Sequence, residues 1–199
     1  MGPYTSLAKS AVETYIKEGK VISPPSDLPE EFRKRMAGVF VTIEKFLTDN
    51  AKLELRGCIG TYLPTKENIA EEIIYNAILV ATEDYRFGPI QKEELPHLIY
   101  IVYILSKPEL VKNVSELDPR TYGIVVKTLP ITEGLKDSPQ SKTDVLFNGN
   151  IPYKSGLLLP DLEGIDTAKQ QIATACQKAG INLEKEKILI YKFTAEKHG

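Results

Sequence analysis

The stretch with the clearest potential for chemistry is the hexapeptide Leu55–Gly60, which reads Leu-Arg-Gly-Cys-Ile-Gly. It ends an apolar run with strand-like alternation, and strand side chains alternate between faces with a period of two. Arg56 and Cys58 are therefore predicted to project from the same face. Gly57 and Gly60 permit a turn or a close approach of the backbone to another group. A cation and a thiol on one face, framed by glycines, indicate a candidate site.

Two interpretations of Cys58 are open at this stage. In the first, it is a small buried residue at the end of a strand, since free cysteine is among the most buried residue types. In the second, it is a catalytic thiolate whose pKa is lowered by Arg56. His97 and His198 are the two histidines of the chain and are distant from Cys58 in sequence. Cys176 lies on an apolar helical stripe and is predicted to be part of the core.

A second group of charged residues follows the strongest predicted helix. Glu83 and Asp84 lie at the negative end of the helix macrodipole, where each exposed acid is unfavourable by about 0.3–1 kcal/mol. Compensation is expected from Arg86, from Arg56 or from a bound group. One hypothesis is an ion-pair network that fixes the helix end to the sheet. The other is an anion or substrate pocket, since guanidinium groups bind carboxylates and phosphates, with Phe87 as one wall.

The hydrophobic pattern predicts the elements that position these residues. The first two strands are predicted to form an antiparallel hairpin, because their connection is too short for a crossover helix. Residues 129–155 contain few apolar residues and several glycines and prolines, and are predicted to be an inserted excursion. Helices are predicted over 3–18, 30–36, 65–82 and 166–179, and strands over 38–46, 53–59, 97–106, 123–126, 156–160 and 188–195.

Composition narrows the possible functions. The chain has 199 residues, 42% hydrophobic and 26% charged, as expected for a folded globular protein. A net charge of −2 provides no general attraction to nucleic acid or to an anionic membrane. No membrane-spanning run and no secretory signal are apparent, so a cytoplasmic protein is predicted. Neither metal-ligand spacing nor a nucleotide fingerprint is found, and no metal or cofactor is expected.

The hexapeptide Leu55–Gly60 and the acidic helix end give the chain a family resemblance. It resembles the AMMECR domain family, whose hallmark is that hexapeptide. The likeness covers nearly the whole chain, from the first helix through Gly38–Thr42 to Leu157–Pro160 and Gln177–Ile181. The resemblance implies a single domain over residues 1–199 with an α+β fold. In that fold an antiparallel β-sheet is flanked by helices, with a larger and a smaller lobe.

The resemblance also concerns partners. It implies a bacterial or archaeal branch in which the domain is often fused to, or encoded with, two other proteins. One is a Memo-type protein related to metal-dependent extradiol dioxygenases, and the other is a radical-SAM enzyme. Tyr85 and Gly88 depart from the family pattern, since proline is common at both positions. The resemblance implies no particular reaction.

Three hypotheses for the function follow. The first is an enzyme component in which Cys58 is catalytic and a substrate pocket surrounds it. The second is a non-catalytic module that binds the Memo-type protein and the radical-SAM enzyme. The third is nucleic-acid binding, which the net charge does not favour. The substrate pocket of the first hypothesis comprises Arg56, Gly57, Gly60, Glu83, Asp84, Arg86 and Phe87.

Overall fold

The structure, a computed structural model, describes residues 1–47, 52–129 and 153–199. These residues fold into two compact units, each built around a four-stranded sheet. Within each sheet, the neighbouring strands β1–β2, β1–β3, β4–β7, β5–β6 and β5–β7, whose ranges are given below, pair antiparallel. The predicted α+β fold, with antiparallel strands, flanking helices and a larger and a smaller lobe, is confirmed, although the strands among the described residues form two sheets. That residues 1–199 form a single domain stays a prediction.

The helices and strands divide cleanly between the two units. In chain order, the elements are α1 (Pro3–Glu18), α2 (Glu31–Lys34), β1 (Val39–Leu47), β2 (Lys52–Gly60), α3 (Ile69–Thr82), a 3₁₀ helix (Lys92–His97), β3 (Leu98–Leu105), β4 (Glu109–Leu110), a 3₁₀ turn (Val114–Glu116), β5 (Gly123–Thr128), β6 (Ser155–Leu158), α4 (Ala168–Lys178), β7 (Ile188–Phe193) and β8 (Ala195–His198). The first sheet has the order β2-β1-β3-β8, and the second has the order β4-β7-β5-β6.

The first unit contains residues 1–107 and 196–199 and has its core on one face of the sheet. Val39, Val41 and Ile43 alternate along β1 and are fully buried in one cluster with residues of α1 and α3. Residues two apart on a strand point to the same face, which explains why these three side chains share the core. β1 pairs with β2 in the predicted antiparallel hairpin, and with β3 on its other side. β2 is therefore an edge strand of this sheet.

Local signals explain the ends of the main helices. α1 ends at Gly19, which adopts the left-handed conformation with φ of 69° and donates its backbone N–H to Tyr15. α3 begins after Asn68, whose side chain accepts a hydrogen bond from the Glu71 backbone N–H. The predicted start of this helix at Thr65 is wrong, because the loop before Asn68 is held in a different way, described below.

The second unit contains residues 108–195 and has a separate, smaller core. β5 is buried along its whole length between β7 and β6. Ala175 and Cys176 of α4 belong to the buried cluster that covers this sheet. Cys176 is thus a core residue, as predicted.

Most of the predicted excursion over residues 129–155 falls at residues 130–152, which lie outside the described residues. Among the residues that the structure describes, no helix has both the length and the apolar character needed to cross a bilayer.

Candidate functional site

β2 contains a β-bulge at Arg56. Gly57 pairs with Ile43 of β1, and Leu55 pairs with the next residue, Glu44. Arg56 is therefore an extra residue without an opposite residue on β1. A bulge of this kind locally disrupts the regular alternation of side chains along a strand.

The bulge makes one prediction wrong, because Arg56 and Cys58 lie on opposite faces of the sheet. The Thr42 hydroxyl donates a hydrogen bond to the sulfur of Cys58 at 3.1 Å. Arg56, in contrast, binds the carboxylate of Glu94, which Lys45 also binds. Thr42 and Lys45 are an odd number of residues apart on β1 and point to opposite faces. Cys58 therefore shares a face with Thr42, and Arg56 with Lys45.

Arg56 forms a two-pronged ion pair with Glu94. Its Nε donates to Oε1 at 2.8 Å, and its Nη2 donates to Oε2 at 3.0 Å. The same guanidinium also donates to the carbonyl oxygens of Gly88 and Pro89 at 3.2 and 3.3 Å. The side chain of Arg56 is only 11% exposed. This fork geometry is the strongest form of an arginine–carboxylate contact, and it attaches β2 to the 3₁₀ helix.

The environment of Glu94 strongly favours its charged form. Arg56 has the largest effect on the pKa of Glu94, and the Gln91 backbone N–H and Lys45 add to it. Together they lower this pKa from 4.5 to about 2, although partial burial acts in the opposite direction. Glu94 is therefore an ionised structural anchor.

Asp84 forms a second clamp on the same strand. Its Oδ2 accepts the backbone N–H of Cys58 at 2.9 Å. Arg86 donates to both carboxylate oxygens, from Nε at 2.8 Å and from Nη2 at 2.7 Å, and these bonds lower the pKa of Asp84. Nη2 of Arg86 also donates to the Cys58 carbonyl at 3.3 Å. The Asp84–Arg86 pair thus bonds to the outer edge of β2 as a neighbouring strand would.

Gly57 and Gly60 serve packing at this position. A Cβ added to Gly57 would lie 2.7 Å from the Val80 side chain, so glycine allows α3 to approach β2 closely. A Cβ at Gly60 would overlap Phe40 and the Val39 carbonyl of β1. Both glycines are explained by close contacts within the protein.

Neither histidine is positioned to act as a base for Cys58. His97 precedes β3, and Ile101 of β3 lies in the same row as Thr42 and Cys58. At roughly 3.3 Å per residue, His97 is about 13 Å along the sheet from that row. The His198 ring stacks on Tyr4 of α1 at a centroid distance of 3.9 Å, on the sheet face opposite to Cys58.

The remaining predicted residues lie in the loop after α3. Glu83 caps the helix with its backbone N–H and is exposed. Tyr85 is 94% exposed and Phe87 is 38% exposed. The Arg86 guanidinium carbon lies 5.1 Å from the centre of the Phe87 ring. This loop therefore presents two aromatic rings and part of a cation to solvent.

Sequence reasoning missed two acidic residues that shape the site. Glu94 follows Gln91 with the three-residue spacing of a capping box, which is a local signal for its role. Glu72 is fully buried on the apolar face of α3 and accepts hydrogen bonds from the backbone N–H groups of Thr65 and Lys66 at 2.6 and 2.8 Å. It also accepts hydrogen bonds from the hydroxyls of Thr61 and Thr65 and from the amide of Asn76. An acid inside a helical apolar stripe is a signal for such a role.

In the part of the chain that the structure describes, no group of three His, Cys, Asp or Glu side chains is arranged to hold a metal ion.

Comparisons with known proteins place these features in a family. The model of the AMMECR1 family matches residues 5–198. A protein of Thermotoga maritima is 44% identical over 196 residues, which cover 98% of this chain and 97% of that protein. A protein of Clostridium acetobutylicum is 38% identical over 98% of this chain, but this chain spans only 36% of its length. The crystal structure of an uncharacterized protein from Pyrococcus horikoshii matches with a TM-score of 0.76 and 31% identity, covering 98% of this chain and 88% of that one.

The Glu94 anchor predicts a specific dependence of stability on pH. Its pKa is lowered in the folded state, so its contribution is complete above about pH 4.5 and is lost as pH falls toward about 2. We expect Glu94→Gln to lower the free energy of unfolding by about 2 kcal/mol at neutral pH. The difference from wild type should shrink between about pH 5 and pH 3 in urea unfolding curves.

The exposed neighbour Glu93 provides the matched control. Glu93→Gln should change the free energy of unfolding by less than about 0.5 kcal/mol. A Glu94→Gln deficit that stays constant as pH falls would contradict the role of the ionised carboxylate.

The two thiols should differ in their reactivity toward iodoacetamide. Cys58 is half-buried, whereas Cys176 is 2% exposed and burial raises its pKa. We expect native protein to be alkylated at Cys58 at least about tenfold faster than at Cys176. Mass spectrometry of the peptides measures both rates, and denatured protein serves as the control in which the two rates converge. Equal protection of both thiols would place Cys58 in the core instead.

Proposed function

This chain belongs to the AMMECR1 family, and we propose that it acts as a protein-binding module whose docking surface is the loop Tyr85–Phe87. One observation carries the proposal. Arg56, Asp84 and Arg86 bind other charged side chains and the main chain, whereas the aromatic side chains of the loop are exposed to solvent. This arrangement favours a preformed surface over a substrate pocket.

The hydrogen bonds of the two arginines support a docking surface rather than a substrate pocket. Arg56 makes four hydrogen bonds through its guanidinium, to Glu94 and to two backbone carbonyls. A substrate anion bound by Arg56 would have to displace Glu94, whose low pKa reflects how strongly that contact favours its charge. Arg86 likewise forms an ion pair with Asp84, but 44% of its side chain is exposed. Only the outer part of Arg86 is thus available to a partner.

The exposed loop has the composition of an interaction surface. Tyrosine, phenylalanine and arginine are enriched at the centres of protein interfaces, and tyrosine and arginine dominate their binding energy. Tyr85 and Phe87 flank Arg86, which is held by the buried carboxylate of Asp84. A loop that is anchored before binding loses less conformational entropy when it docks.

The relatives support the modular part of the proposal. The same domain accounts for 97% of the Thermotoga maritima protein and for 36% of the Clostridium acetobutylicum protein. A unit that occurs both nearly alone and within a much longer chain is consistent with a binding module.

The proposed partners are a Memo-type protein and a radical-SAM enzyme, as the family resemblance implies. The proposal places the interaction in the cytoplasm. Both cysteines, Cys58 and Cys176, are free thiols, which is consistent with a reducing compartment.

A catalytic role for Cys58 is the second candidate, since its thiol is half-buried and its sulfur accepts a hydrogen bond from the Thr42 hydroxyl. This hypothesis makes the protein an enzyme component and requires Cys58 for the activity of the assembly. The binding hypothesis requires only the loop. The two hypotheses therefore predict opposite results for substitutions at Cys58 and at the loop.

The binding hypothesis is tested by calorimetric titration of the chain with the purified Memo-type protein and with the radical-SAM enzyme of the same organism. We expect at least one of them to bind. The double variant Tyr85→Ala, Phe87→Ala should weaken that binding by more than about thirtyfold, since interface aromatics commonly contribute 2 kcal/mol or more.

Two control variants sharpen this test. Tyr75→Ala removes an exposed tyrosine from the middle of α3 and should leave the affinity unchanged. Cys58→Ala should also leave the affinity unchanged, and the assembly should keep its activity. If neither partner binds wild type at about 100 μM, or if Cys58→Ala abolishes activity while the loop variant does not, the binding hypothesis is rejected.

A further inference from the structure

We propose that a groove between α1 and α3 binds a small amphiphile with an anionic head group, a medium-chain carboxylate. The groove has a volume of about 400 Å³, which lies within the usual range for small-molecule pockets. It belongs to the first unit, and none of its lining residues is part of the loop Tyr85–Phe87. Its apolar walls are formed by Tyr15, Val21, Ile22, Ile74, Ile78 and Leu79.

A cation is held in place at this groove. The ammonium of Lys66 lies 3.7 Å from the centre of the Tyr75 ring, a favourable cation–π distance. The backbone N–H of Lys66 donates to the buried carboxylate of Glu72 at 2.8 Å. Contacts thus fix both the ammonium and the backbone of Lys66. Lys66 forms no ion pair with the residues that the structure describes.

The cation and the apolar walls together define the chemistry of the ligand. An apolar groove alone would accept many hydrophobic molecules. A fixed ammonium without a counter-ion selects an anion, and Lys66 lines the same cavity as Ile74 and Ile78. A ligand with an apolar tail and one carboxylate satisfies both features.

Glu71 also lines the groove and has the opposite charge. Its backbone N–H is bound by Asn68, but its carboxylate makes no hydrogen bond to a described residue, so nothing fixes its direction. Lys66 is fixed at the groove by Tyr75, and this difference favours an anionic over a cationic head group. Glu71 should therefore weaken the binding of an anion through repulsion.

The length of the groove limits the ligand. Its wall on α3 extends from Glu71 to Leu79, which corresponds to about 12 Å of helix at about 1.5 Å per residue. An extended tail of medium length matches this span. We therefore take decanoate as the probe.

Titration calorimetry of the full chain with sodium decanoate, below its micelle concentration, tests the proposal. We expect saturable binding to wild type, and about tenfold weaker binding to Lys66→Gln. Lys66→Arg should stay within about threefold of wild type, and Glu71→Gln should bind about threefold more tightly. Ile78→Trp should abolish binding, because the larger ring fills the groove.

Control measurements separate this site from general hydrophobic adsorption. Lys169→Gln removes an exposed lysine from α4 and should leave the affinity for decanoate unchanged. Decyltrimethylammonium has a similar tail and a cationic head group, and it should bind at least about tenfold more weakly. Circular dichroism verifies that each variant is folded.

Three results would overturn the proposal: no binding of decanoate to wild type at about 1 mM, equal affinity of Lys66→Gln and wild type, or equal affinity for the cationic amphiphile. None of these results bears on the docking loop, because the groove and the loop share no residue.

Discussion

The hydrogen bond from the Cys58 backbone to the Asp84 carboxylate is the interaction on which the candidate site depends. β2 is an edge strand, and an unpaired edge exposes its backbone donors and acceptors. Asp84 and Arg86 together bind the donor and the acceptor of Cys58. The same bonds satisfy an acid that would otherwise be unfavourable at a helix C-terminus. They also fix the start of the loop that presents Tyr85 and Phe87.

Two other carboxylates extend this arrangement along the chain. Glu94 binds Arg56 at the bulge and attaches the 3₁₀ helix to β2. Glu72, buried in α3, binds the two backbone N–H groups and the two hydroxyls of the loop that follows the hexapeptide. Each carboxylate is satisfied by several donors, which is the condition under which a buried or partly buried charge is tolerated. Asp84, Glu94 and Glu72 therefore attach the neighbouring loops and the 3₁₀ helix to β2 and to the segment that follows it.

The sequence predicted the elements of this region better than the contacts between them. The short connection between the first two strands predicted the hairpin, and the helical pattern of apolar residues predicted α1 and, in the second unit, the core position of Cys176. The common face of Arg56 and Cys58 was wrong, because the bulge depends on pairing with β1 and leaves no mark in the hexapeptide itself. The spacing of Gln91 and Glu94 is a local signal for a capping box, but the contact with Arg56 spans 38 residues and is visible only in the structure. Asp84 and Arg86 form an ion pair, as one of the two hypotheses expected, but Arg56 binds Glu94, and the role of the Cys58 amide required the structure.

Native-state hydrogen exchange of the Cys58 amide, followed by NMR, tests the clamp most directly. An outward-facing amide on an edge strand exchanges rapidly unless a specific acceptor protects it. We predict that the Cys58 amide exchanges at least about a thousandfold more slowly than an unprotected amide in wild type, and that Asp84→Ala removes most of this protection. Rapid exchange of this amide in wild type, or unchanged protection in Asp84→Ala, would show that the Asp84 carboxylate does not hold the edge of β2.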